Sequence, residues 1–145
     1  MDFYFDATDA TAVTDLRGEL SAFFARHAAP GSDVSGAELA VGELLANAVR
    51  HAPGPAWVHV DWTEPRPRVE VHDLGPGFQL QVALPDDPLA LGGRGLFIVS
   101  HVADDLATAA KRAGGSRVSA VMPVQRRVER SHDAAPKRRD ALPAP

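Results

Sequence analysis

At 145 residues, with 45% hydrophobic and 23% charged residues, the chain has the length and apolar content of one compact domain with its own core. It contains no cysteine, which excludes a disulfide framework and a thiolate metal site and points to a reducing compartment. Its net charge of −4 is unevenly spread: residues 125–145 hold 6 of the 15 Lys/Arg and 3 of the 19 Asp/Glu. The remainder is therefore strongly acidic and lacks the basic footprint of a nucleic-acid binder.

Met-Asp-Phe-Tyr-Phe-Asp opens the chain with acids instead of a basic, apolar leader, and no apolar run approaches membrane-spanning length. The expectation is a cytoplasmic protein with neither membrane nor direct nucleic-acid partners. Phe3 and Phe5 alternate with polar neighbours as a first strand. From Thr11 to His27, Val13, Leu16, Leu20, Phe23 and Phe24 recur at helical spacing, with Pro30-Gly31 as the stop. A second helix is expected from about Ser35 to Ala52. Ser35 and Glu38 form a capping-box pattern, Leu39, Leu45, Ala48 and Val49 make its apolar stripe, and Pro53-Gly54-Pro55 ends it.

Ala56 to Thr63 and Arg68 to Asp73 read as an antiparallel hairpin about Pro65 and Pro67. The period of two puts Asp73 on the face that Val69 and Val71 mark as buried, where an acid needs a partner. Gly75-Pro76-Gly77 follows, then a Pro- and Asp-containing stretch from Phe78 to Leu91, then Gly92-Gly93-Arg94-Gly95. A short helix through Leu96, Ile98, Val99 and Val102 comes next. Two strands, about Leu106 to Lys111 and Arg117 to Met122, flank a Gly114-Gly115 turn. Helices alternating with mostly antiparallel strands indicate an α+β, two-layer sandwich with the helices on one face. Residues 125–145, rich in charge, Ala and Pro, are expected to be a disordered tail behind a domain of residues 1–124.

Glu43-Leu-Leu-Ala-Asn47-Ala-Val-Arg-His51 resembles the N-box of the GHKL, or Bergerat-fold, ATPases. Val71-His-Asp73-Leu-Gly75-Pro-Gly77 resembles their first glycine box, and Gly93-Arg-Gly95-Leu96-Phe-Ile-Val their second. Three boxes in order, on a helix, a strand end and a helix start, are specific where any one alone is not. The likeness covers about residues 1–124. Its small size, short segment between the glycine boxes and Gly115-Ser116 turn resemble the bacterial anti-sigma-factor serine/threonine kinases.

The resemblance implies an ATP and Mg²⁺ site. Asn47 would be the metal ligand, a neutral oxygen suited to an ion completed by phosphates. Glu43, one turn away on the same helical face, would be the general base. Asp73, which as a carboxylate only accepts hydrogen bonds, would hold the adenine amino group. Gly75 and Gly77 would turn the backbone towards the base with positive φ. Gly92, Gly93, Arg94, Gly95 and Leu96 would lead phosphates to a helix N-terminus. Ser116, where the family usually has threonine, would donate to phosphate or bind water near adenine. His51 is expected to serve the helix C-terminus rather than the chemistry.

Implied in turn are phosphorylation of an anti-anti-sigma partner on serine or threonine, and sequestration of a sigma factor. Two alternatives stay open: a non-catalytic module whose partner affinity is gated by ATP, and a histidine-kinase catalytic domain. The second is disfavoured because the first helix carries its only histidine, His27, at its end. A homodimer is a further alternative, since relatives pair through the sheet and the first strand offers an apolar edge.

Overall fold

In a computed structural model, residues 1–75, 94–112 and 114–128 are described. In chain order they form β1 (Asp2–Asp6), α1 (Ala10–His27), α2 (Val34–His51), β2 (Pro55–Asp61), β3 (Arg68–Asp73), α3 (Gly95–Val102), β4 (Asp104–Ala110) and β5 (Ser116–Val121). The strands make one sheet in the order β1-β2-β3-β5-β4, with every neighbouring pair antiparallel. This is the α+β sandwich that the alternation of elements indicates, and no described helix is long and apolar enough to cross a membrane.

Strand alternation divides the sheet into two faces. Phe5, Val58, Val60, Val69, Val71, Val118 and Ala120 are buried in one cluster with Leu20, Phe24, Leu44, Leu45 and Val99 from the helices. The opposite face carries Tyr4, Trp57 and His72, with Trp57 and His72 stacked at 5.0 Å and Lys111 lying over the Trp57 ring. Tyr4 there is 82% exposed.

Both long helices start on an aspartate. Asp9 accepts from the backbone N–H groups of Thr11 and Ala12, and Asp33 accepts from Gly36. The Ser35 capping box is therefore corrected: α2 begins before Ser35, and a Cβ at residue 36 would strike the Asp33 carboxylate, so Gly36 makes room for this cap. The apolar stripe also turns. Ala37, Ala40, Val41, Leu44, Leu45, Asn47 and Ala48 are the buried residues of α2 with Gly36, whereas Leu39 and Val49 are exposed. Packed between α1, α3 and the sheet, the helix buries a broad face on which Gly36, Ala37, Ala40 and Ala48 join Val41, Leu44 and Leu45.

Gln125 to Arg127, assigned to the tail by composition, are instead bonded to the body. The Ala29 N–H donates to the Gln125 carbonyl at 2.7 Å, the Arg126 N–H to Pro65 at 2.9 Å, and the Arg127 N–H to His27 at 2.8 Å. Backbone bonding, not apolar content, holds this strap across the α1–α2 loop and the β2–β3 turn. Residues 129–145 of the expected tail lie outside the described residues.

Candidate nucleotide site

Asp73 ends β3 on its buried face and is 2% exposed. Its Oδ1 accepts from the backbone N–H groups of Gly75 at 2.9 Å and Ser116 at 3.1 Å, and its Oδ2 accepts the Ser116 hydroxyl proton at 2.5 Å. The acid that the strand period placed in the interior thus has its partners, drawn from both sides of the sheet's end. A buried carboxylate held by neutral donors retains acceptor capacity for a ligand's N–H. Ser116 is 3% exposed and its hydroxyl donates to Asp73, so it stands beside that carboxylate at the end of β3.

Two glycines allow this close assembly. Gly115 adopts φ +89°, and a Cβ there would run into the Asp73 carbonyl, with Leu74 Cα at 2.9 Å. At Gly75 the expected positive φ is corrected, because that residue is absent from the left-handed positions. It is needed for proximity: a Cβ would lie 2.5 Å from the Ala52 Cβ and 3.3 Å from the His51 carbonyl oxygen, so the chain leaving β3 rests on the C-terminal end of α2.

On α2, Glu43 and Asn47 share a face as their spacing requires. Asn47 is 3% exposed, and none of the described hydrogen bonds uses its amide. The spacing also brings in Arg50, which sequence reasoning passed over although it stands three residues beyond Asn47 and seven beyond Glu43. A Cβ at Gly95 would lie 2.5 Å from Glu43 Oε2 and 2.8 Å from Arg50 Nη2. Both head groups therefore converge on the first residue of α3, and glycine is what lets the helix begin there.

Arg94 takes the N-cap position of α3 with helical dihedrals and no side-chain cap hydrogen bond. The Leu96 side chain is buried in the core, so its part in any phosphate contact is confined to its backbone N–H. His51 is exposed at the end of α2, where its carbonyl meets Gly75. Gly77, Gly92 and Gly93, and the stretch from Phe78 to Leu91, lie outside the described residues.

The site is electrostatically polarised. One end offers the Asp73 carboxylate to a hydrogen-bond donor. The other gathers the N-terminus of α3, with its partial positive charge, and the guanidinium of Arg50. A ligand with an exocyclic amino group at one end and phosphates at the other matches both. The residues present also fit a magnesium ion: the buried amide of Asn47 lies one helical turn from Glu43, whose carboxylate reaches the helix end that favours phosphate, and such an ion takes few protein ligands. Among the described residues there is no cluster of three or more His, Cys, Asp or Glu that would hold a metal unaided.

The family-level comparison agrees with this fold. Residues 5–122 match the family model described as the histidine kinase-like ATPase domain. Among solved structures, the histidine kinase AdeS of Acinetobacter baumannii is similar at 14% identity and a TM-score of 0.48, covering 85% of this chain and 67% of that one. The catalytic domain of the histidine kinase ThkA shows 14% identity and 0.47, covering 88% and 99%. The histidine kinase domain of the E. coli osmosensor EnvZ shows 22% identity and 0.47, covering 91% and 93%. No curated protein matches the sequence. With the described parts of the three boxes on one end of an α+β sandwich and the family model spanning residues 5–122, the chain belongs to the histidine kinase-like ATPase domain family, the ATP-binding fold of the GHKL superfamily.

Proposed function

We propose that the protein is a Mg·ATP-dependent serine/threonine kinase of the anti-sigma type, which phosphorylates a small anti-anti-sigma partner and sequesters a sigma factor according to that partner's state. The observation that carries this reading is the position of Glu43, whose carboxylate reaches the first residue of α3. A helix N-terminus receives phosphates, so a base there stands beside the group to be transferred.

In this reading Asp73 and Ser116 hold the adenine end. Asn47 would hold the magnesium ion, which when bound offsets phosphate charge. Arg50 and the α3 N–H groups stabilise the charge on the transferring group. Glu43 takes the proton of the partner's hydroxyl as its oxygen bonds to the γ-phosphorus. The bond from phosphorus to the β–γ bridging oxygen breaks, and ADP leaves.

The test is incubation with γ-labelled ATP, Mg²⁺ and purified anti-anti-sigma proteins, using wild type and Glu43→Gln. Label should pass to one partner with wild type. It should fall by roughly 10² to 10⁴-fold with the variant, the span over which a positioned base acts. Calorimetry should show ATP affinity within about threefold for both, because the carboxylate acts on the acceptor and not on the nucleotide. Wild-type ATP binding without a labelled partner would replace the kinase with an ATP-gated binding module.

A further inference from the structure

We infer that the strapped end of the sheet is a docking site for a short acidic peptide segment of a protein partner, and that it acts apart from the nucleotide site. Arg26 and His27 from the last turn of α1 and Arg126, Arg127 and Val128 from the strap line an open concavity of about 730 Å³. Among the described residues no acid lines it, and none of the four basic groups takes part in a described ion pair. This is the reverse of the body around it, where acids outnumber bases.

Two explanations internal to the fold account for part of the cluster. Cations suit the negative end of α1, and Arg26 and His27 already supply them there. Arg126 donates from Nη1 to the Trp62 carbonyl, and Arg127 from Nε to the Ala28 carbonyl. Each of these bonds uses one of five guanidinium donors. The strap thereby fixes two guanidinium groups by one edge, leaving both to face the concavity with an already reduced entropy cost for pairing. Carboxylates match such forks bidentately.

The surroundings narrow the ligand. Val128 is 84% exposed, and His27 packs on Phe23 at 4.7 Å within a ring cluster that includes Trp62. A segment that combines Asp or Glu with a neighbouring apolar residue fits both features. Four basic groups in one patch on an acidic protein favour a short peptide over a nucleic acid, which is held along an extended basic stripe. β3 runs from Arg68, beside the strap, to Asp73, so the two sites are roughly 17 Å apart along the strand at about 3.3 Å per residue. Occupancy of one leaves the other open.

The experiment is fluorescence anisotropy on the full chain with a labelled peptide of Glu residues flanking a Leu, and with its Gln-for-Glu counterpart. The acidic peptide should bind at least about tenfold tighter than the Gln form and weaken as salt rises. Arg126→Glu with Arg127→Glu should lose about tenfold or more. Arg26→Glu, which leaves the strap bonds intact, should lose severalfold in the same direction and keeps the test independent of folding. Lys137→Ala with Arg138→Ala and Arg139→Ala should bind like wild type. Equal binding of both peptides, unchanged binding by Arg26→Glu, loss in the Lys137 to Arg139 variant, or tighter binding of an oligonucleotide than of the acidic peptide would each overturn the inference.

Discussion

The two ends of the sheet are built by opposite means. At the nucleotide end, close approach depends on residues without side chains: Gly75 against Ala52, Gly95 against Glu43 and Arg50, Gly115 against Asp73. The buried Asp73 and Ser116 there are polar and are hydrogen-bonded to each other. At the strapped end, Phe24 is fully buried and meets Phe23 and Trp62 edge-on at 5.7 and 5.8 Å, while backbone bonds from Gln125 to Arg127 close the surface. One end carries stability in its rings, and the other gives up side-chain bulk for close approach among polar groups. A fold that supports a ligand site must concentrate its apolar burial elsewhere, and here the division runs along the strands.

That contrast is broken most severely at Phe24. Phe24→Ala removes a fully buried ring and should cost about 3 to 5 kcal/mol of unfolding free energy. Chemical denaturation should show this, while ATP affinity measured on the folded protein stays near wild type. Substitution at Gly115 should do both kinds of damage. Gly115→Ala forces a side chain into the left-handed region and onto the Asp73 carbonyl, so a loss of roughly 2 to 3 kcal/mol and of ATP binding is expected. Gly114, also at φ +89° but with open space around it, is the control: Gly114→Ala should cost only the backbone term of about 1 kcal/mol and keep ATP binding. Equal effects at both positions would show that the contact with Asp73 is unimportant.

Asp73→Asn separates the two ends from the other side. The amide keeps one acceptor for Gly75 and Ser116 but puts a donor where the carboxylate accepted, so the fold should tolerate it. ATP affinity should fall by about 10 to 100-fold, the worth of a hydrogen bond to a charged group plus the mismatch. Calorimetry with thermal melting distinguishes this from unfolding. A variant that binds ATP normally would remove Asp73 from the adenine end.

Much of the architecture was legible because it follows from periodicity. The strand period set Asp73 on the inner face, and the spacing of Glu43 and Asn47 set them on one side of α2. What escaped were features fixed by contacts between distant residues. Asp33 outcompetes Ser35 as the cap because Gly36 leaves space for its carboxylate, which a motif does not encode. Leu39 and Val49 face outward because two helices and the sheet press on the other faces of α2, where Ala37, Ala40, Val41, Leu44, Leu45 and Ala48 are buried. Arg50 was hidden because only α3, folded back from residue 95, gives its head group a purpose. The strap from Gln125 to Arg127 has a composition typical of disorder, yet its order comes from main-chain bonds that composition does not report.

The smallest effect concerns the open face of the sheet, behind Asp73. His72 stacks flat on Trp57, and its Nε2 lies 3.1 Å from Glu70 Oε2, so the neutral ring donates from Nε2 and leaves Nδ1 as a bare acceptor. That Nδ1 is buried and without a partner. Protonation would place a second N–H where nothing accepts it. Burial accordingly lowers the His72 pKa, Lys111 and Arg117 add to the effect, and the Glu70 carboxylate opposes it without prevailing. Between that lowered value and the usual histidine value of about 6.5, the unfolded chain binds more protons than the folded one, so stability is full above about pH 7 and falls as pH drops through 6.5. The melting temperature should therefore decline between pH 7.5 and 5.5. His72→Phe keeps a ring on Trp57 and removes the titration, so its profile should be flatter over that window. Parallel profiles for the two proteins would assign the pH dependence to other histidines and leave the orphaned nitrogen without a thermodynamic consequence.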